Sequence, residues 1–201
     1  MSPKSKFFIV AIGFSSGGTE DLYEFFSCIP PQPNIAFVII QHLGRNYVSV
    51  RDKLLAKHTD MPVSWATDHH LVEPNHIYML PVNMFMTIKD GYLETYEREA
   101  SDKSNWAVNI FFHSMAENVE AMGIGIILSG AGSDGTLGAI HMNQKDGTIL
   151  VQDPETAEFR GMPDSAILKD HPTRILSPKK LALALMDLLK TIQPSAESKS
   201  Q

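Results

Sequence analysis

Ser15, His42 and Asp134 are three residue types that together perform acyl transfer, and each stands just beyond a short apolar run that reads as a parallel strand. A serine hydroxyl is a weak nucleophile until a neighbouring base takes its proton. An imidazole does this best when a carboxylate fixes its tautomer and stabilises its charged form. Reactive groups in open α/β sheets collect outside the carboxyl ends of the strands. Three loops remote in sequence can therefore deliver nucleophile, base and orienting acid to one crevice, and the chain reads as a serine hydrolase.

Ser15 closes the run Phe7-Phe8-Ile9-Val10-Ala11-Ile12-Gly13-Phe14 and opens the turn Ser15-Ser16-Gly17-Gly18. Continuous Ile, Val and Phe fit a strand buried on both faces, and beyond Gly18 the spacing turns helical, with Leu22, Phe25, Phe26 and Ile29 inward. Free N–H groups at the start of that helix can hold a negative charge. The same turn suits a phosphate or dinucleotide cradle, which requires an acid roughly 20 residues beyond the glycines to hold a ribose. Here the second strand, Ile35-Ala36-Phe37-Val38-Ile39-Ile40, ends in Gln41-His42, which favours chemistry over nucleotide binding.

A histidine past a buried strand can simply cap it, and Asp134-Gly135 can be an ordinary helix cap. Asp134 nevertheless closes a second glycine-rich turn between a strand and a helix, Ile124-Gly125-Ile126-Ile127-Leu128-Ser129-Gly130-Ala131-Gly132-Ser133. Its carboxylate is expected to accept the Nδ1–H of His42, leaving Nε2 to take the Ser15 proton. The other histidines show no spacing tied to a cysteine pair or to an HExxH helix, so no structural metal is expected.

The elements that must position these residues alternate along the chain as strand and helix, the pattern of a doubly wound, mostly parallel sheet between two helical layers, a Rossmann-like α/β fold. A helix is expected over 48–58 with Val50, Leu54 and Leu55 on one side, and a short strand at 62–65. Runs at 77–80, 84–88 and 92–96 break the alternation. Lys89-Asp90-Gly91 is a hairpin signal, so an antiparallel ribbon is expected there. A helix over 108–122 buries Phe111, Phe112, Met115 and Val119 and ends at Gly123. Strands at 148–151 and 173–176 follow, then a helix opened by Ser177-Pro178 with Leu181, Leu185 and Leu188 inward. One domain over 1–192 and a disordered polar tail over 193–201 are expected.

With 201 residues and 43% hydrophobic composition the chain suits a single globular domain. Lys and Arg number 17 against 23 Asp and Glu, a net charge of −6 that argues against a nucleic-acid partner. Cys28, the single cysteine, excludes an internal disulfide and reads as a buried thiol. No run approaches the roughly 20 apolar residues that span a bilayer, and no signal segment precedes the first strand, so a cytoplasmic protein is expected.

Taken together, the motifs resemble the catalytic domain of the CheB-type protein-glutamate methylesterases, the chemotaxis receptor methylesterases. The resemblance is carried by Ile12-Gly13-Phe14-Ser15-Ser16-Gly17-Gly18-Thr19-Glu20, Val38-Ile39-Ile40-Gln41-His42, Leu128-Ser129-Gly130-Ala131-Gly132-Ser133-Asp134-Gly135, and Gln152-Asp153 with Gly161-Met162-Pro163, in the family's order. It implies Ser15 as nucleophile, His42 as general base and later acid, and Asp134 as orienting carboxylate. It also implies oxyanion or substrate-binding roles for Ser16, Gly17 and Ala131, with the backbone N–H groups near Ser16 and Ala131 as oxyanion donors. The departures are Phe14, where the family usually has alanine, Ala131, usually methionine, and Asn105-Trp106-Ala107-Val108-Asn109, usually Arg-Pro-Ser-Val-Asp. A large ring beside the nucleophile and an altered mouth bear on which peptide is the substrate.

The resemblance further implies hydrolysis of glutamyl methyl esters on chemoreceptors or similar methylated proteins, with glutamine deamidation at the same site and no metal or organic cofactor. A methyltransferase or response regulator acting in trans is the further partner expected. With only about six residues ahead of the first strand, a stand-alone catalytic domain without a receiver domain is expected. The alternatives are an idle interaction module, suggested by Phe14 and the 105–109 segment, and a nucleotide-binding protein using both glycine turns.

Overall fold

The computed structural model describes residues 7–31, 34–42, 51–99 and 104–192. The strands β1 (Phe8–Phe14), β2 (Ile35–Gln41), β3 (Val63–Trp65), β5 (His76–Met79), β8 (Gly123–Ile127), β9 (Thr148–Gln152) and β10 (Arg174–Leu176) form one sheet in the order β10-β9-β8-β1-β2-β5-β3. Every pairing in it is parallel. β1 and β2 are buried along their whole length, so alternation shows only in which layer each side chain enters. Phe8, Val10, Ile12 and Phe14 enter the core under α1 (Gly18–Phe26) and α6 (Pro178–Ile192). Ile9 and Ala11 enter the opposite core, against α3 (Ala107–Asn118), α4 (Thr136–Gln144) and α5 (Gly161–Lys169). The expected three-layer α/β architecture is present.

A second, antiparallel sheet of β4 (His70–Leu71), β6 (Met84–Lys89) and β7 (Tyr92–Glu97) has the order β4-β7-β6. Its turn is the expected one: Lys89 pairs with Tyr92 across Asp90 and Gly91, whose φ values of 51° and 85° suit a two-residue hairpin. Phe85, Met86, Ile88 and Leu93 pack on the α3 side, and the Ile88 N–H donates to Ser114 Oγ at 3.0 Å.

Several expectations are corrected. The run at 77–80 is not part of the antiparallel ribbon but the parallel strand β5, because Ile77 and Tyr78 enter opposite cores and both need cover. The helix over 108–122 stops at Asn118, a single 3-10 turn follows at Glu120–Met122, and Gly123 opens β8. α5 appears in the sequence only as Gly161-Met162-Pro163, since few of its residues face the core. α2 covers Arg51–Leu55, with Leu55 buried and Leu54 exposed, and Val50 lies outside the described residues. Cys28 and Leu188 are half-buried. The tail expected over 193–201 also lies outside the described residues. Among these, no helix is long and apolar enough to cross a membrane.

Candidate active site

The chain leaves β1 through α1 toward β2 on one side, and leaves β8 through α4 toward β9 on the other. Such a switch point opens a crevice beyond the carboxyl ends of two adjacent strands. Ser15 follows β1, His42 follows β2, and the turn carrying Asp134 follows β8. The order β8-β1-β2 brings all three to one place.

Phe14 pairs with Gln41, and the His42 N–H donates to the Phe14 carbonyl at 3.2 Å. Ser15 and His42 thus stand one step beyond the last paired residues of neighbouring strands, which lie about 4.8 Å apart. Among the described residues Ser15 Oγ makes no hydrogen bond with His42; catalytic contacts often tighten only when substrate binds.

His42 Nε2 lies 2.6 Å from Asp134 Oδ2. Nδ1 was expected in that contact, and the reason for the difference is distance. His42 follows β2 and Asp134 lies beyond β8, with β1 between them, so the outer ring nitrogen spans the gap. Nδ1 is then the ring nitrogen left free of Asp134.

Asp134 is 3% exposed and fully engaged. Oδ2 also accepts the Val108 N–H, and Oδ1 accepts the N–H groups of Asn109 and Gly135, each at 2.9 Å. A buried carboxylate requires such partners, and the first turn of α3 supplies two of them, with its dipole pointing the favourable way. Asp134 is therefore both the partner of His42 and the cap of α3, although α3 begins 27 residues earlier in the chain.

The Ser15 turn is held from below. The Ser15 N–H donates to the Ser129 carbonyl at 3.0 Å, and Ser129 Oγ donates to the Ser16 carbonyl at 3.0 Å. Gly17 caps α1 at φ 78°, and a Cβ there would lie 2.7 Å from Glu158 Cβ and 2.8 Å from Ser129 Oγ. A side chain is excluded by conformation and by space. An added Cβ at Gly130 would collide with Met162 Sδ and stand 3.0 Å from Ser15 Cβ, so a bare glycine lets the second turn approach the Ser15 side chain.

Ser16 and Ala131 are exposed, and their N–H groups donate to no other described residue. The Gly130 N–H is taken by the Phe159 carbonyl at 2.9 Å. Ser16 and Ala131 thus leave two unengaged donors near Ser15.

Phe14 does not narrow this crevice. It is 1% exposed and turned into the core beneath α1, where its ring fills the space next to Gly18. Nor is the 105–109 segment merely an altered mouth: Asn109 Oδ1 accepts the Gly138 N–H of α4 at 2.9 Å, and Trp106 is 45% exposed.

Acidic groups surround the start of α1. Burial pushes the Asp21 carboxyl up to about 6; a hydrogen bond from Gln152 opposes this, and Glu24, Glu158 and Glu20 add to the rise. A phosphate would meet repulsion here, which weighs against the nucleotide cradle. The part played by Asn109, Ser129 and Gln152 carries no local sequence signal beyond the Gln152-Asp153 motif, because each acts on a segment distant in the chain.

The chain matches the model of the family described as CheB methylesterase over residues 10–185. A Leptospira interrogans protein provisionally named protein-glutamate methylesterase/protein-glutamine glutaminase is 30% identical over 176 residues, 86% of this chain and 90% of that protein. Protein-glutamate methylesterase/protein-glutamine glutaminase 3 of Burkholderia thailandensis is 33% identical over 185 residues, 90% of this chain but only 51% of that protein. The crystal structure of the Thermotoga maritima CheB methylesterase catalytic domain matches with a TM-score of 0.82 and 26% identity, covering 90% of this chain and 98% of that one.

Proposed function

Because this chain belongs to the CheB methylesterase family, we propose that it is a protein-glutamate methylesterase, a serine hydrolase that removes methyl esters from glutamate side chains of chemoreceptor-like proteins in signal transduction. The observation that carries the chemistry is the 2.6 Å contact between His42 and the buried Asp134, made across the end of the strand that delivers Ser15.

Ser15 Oγ attacks the ester carbonyl while His42 takes its proton, and Asp134 stabilises the imidazolium that forms. The N–H groups of Ser16 and Ala131 hold the oxyanion, with Gly17 shaping the turn that presents the first of them. The C–O bond to methoxide breaks, His42 returns the proton, and methanol leaves an acyl-enzyme. Water then attacks that acyl group, giving up its proton to His42, and Ser15 is released with a free glutamate carboxylate. Glutamine side chains pass through the same acyl-enzyme with ammonia leaving, so deamidation belongs to the same site. Methylated receptor helices are the partners, and the reaction is assigned to the cytoplasm.

The test is methanol release from methylated receptor fragments, together with labelling of Ser15 by a fluorophosphonate. Release above the spontaneous rate, lost in Ser15→Ala, is the expected result. Absence of both release and covalent adduct would leave the idle interaction module as the better reading.

A further inference from the structure

Gln152 is fully buried, and the reaction just described gives it no task. Its side-chain Oε1 accepts the Ser129 N–H at 2.8 Å, and its Nε2 donates to Thr156 Oγ1 at 3.3 Å. Ser129 is equally buried and directs its remaining groups at the nucleophile turn. Its carbonyl accepts the Ser15 N–H at 3.0 Å, and its Oγ donates to the Ser16 carbonyl at 3.0 Å while accepting the Phe159 N–H at 3.0 Å. Gln152 ends β9, Ser129 follows β8 and Ser15 follows β1, three adjacent strands. Two hydrogen-bonded steps therefore carry the position of the Gln152 amide to both peptide groups that set where Ser15 Oγ and the Ser16 N–H stand.

Glutamine suits this place for a specific reason. The group must accept from a buried N–H and donate outward, to Thr156 Oγ1. An apolar side chain leaves the Ser129 N–H without an acceptor in a site water does not reach, and the peptide must turn to find another. A reacting group needs positioning to a fraction of an ångström, so a small rotation of this peptide is felt in the rate more than in substrate binding.

We propose that Gln152 is a positioning residue for Ser15, acting through Ser129. The proposal rests on the reading of Ser15 as nucleophile. It is tested with Gln152→Leu, which removes the acceptor and keeps the bulk. Gln152→Leu is expected to slow fluorophosphonate labelling and lower kcat at least about tenfold, with KM within about twofold of the parent. Exchange of the Ser15 amide proton, followed by NMR, should accelerate by at least about tenfold while amides of β2 and α6 keep their protection.

Unchanged labelling and unchanged Ser15 exchange in Gln152→Leu would overturn the proposal. Should Gln152→Leu fail to fold, Ser129→Ala tests the second step, because it keeps the bond to Gln152 and loses those to Ser16 and Phe159. Slower labelling with faster exchange at Phe159 supports the proposal, and parental labelling overturns it. If the parent protein itself is not labelled, the nucleophile reading fails, and Ser15 amide exchange still decides the positioning role.

Discussion

Asn109 and Asp134 each hold the start of the other's helix. Asp134, just ahead of α4, accepts the N–H groups of Val108 and Asn109 in the first turn of α3, while Asn109 in α3 accepts the Gly138 N–H in the first turn of α4. The carboxylate that meets His42 is thus fixed by two helix starts that lock one another.

Asn109→Ala removes the acceptor for the Gly138 N–H and leaves that first-turn donor unpaired. A loss of about 1 kcal/mol is expected, as for other helix-cap deletions. In a chain of this size that lowers the melting temperature by about 2–4 °C, measurable by calorimetry. No change in melting would mean that α4 does not depend on α3 for its start.

Asp134→Asn replaces one carboxylate oxygen with a donor, which must face either the imidazole or a backbone N–H. Turnover should fall by roughly 10³–10⁴ with little change in KM, the size of loss seen when a triad carboxylate is replaced by an amide. Steady-state methanol release decides. A loss below about tenfold would reduce Asp134 to a helix cap.

Phe14→Ala separates the core role of this ring from a role at the entrance. Removing a fully buried phenylalanine costs about 3–5 kcal/mol, because the cavity collapses only in part. Chemical denaturation should show that loss, while KM for a methylated peptide stays within about twofold. A marked fall in KM with unchanged stability would put the ring at the crevice instead.

Asp21 makes stability depend on pH. Its carboxyl keeps its proton to about pH 6 in the folded protein, against a usual value of 3.8, chiefly through burial, with Glu24, Glu158 and Glu20 adding to the effect and the Gln152 hydrogen bond opposing it. Between those values the folded chain binds more proton than the unfolded one, so this group makes stability fall as pH rises through the window and leaves it lower above. Asp21→Asn cannot ionise. Its melting temperature should exceed the parent's at about pH 7.5 and equal it near about pH 4. A variant less stable than the parent at the higher pH would contradict the assignment.

What could be read from the chain alone was whatever neighbours in sequence encode. Unbroken apolar runs before Ser15, His42 and Asp134 marked buried strands, the glycines after two of them marked turns into helices, and Lys89-Asp90-Gly91 marked the hairpin. A parallel sheet places the ends of such strands on one side, so the sequence alone groups the three residues. The same reasoning could not place the run at 77–80, because an apolar strand buried on both faces carries no sign of which sheet it joins.

Tertiary structure decided everything that depends on which strand lies beside which. The order β8-β1-β2 sets His42 and Asp134 two strands apart and so selects Nε2 over Nδ1 for their contact. Strand parity turns Phe14 beneath α1, although it is next to Ser15 in the chain. Asp134 and Asn109 cap helices that begin far from them in the chain, and Gln152 reaches the Ser15 turn only through Ser129. Local periodicity and turn chemistry are written in consecutive residues. A buried N–H, by contrast, is satisfied by whichever polar group the fold brings to it, and that partner is known only once the layers have packed.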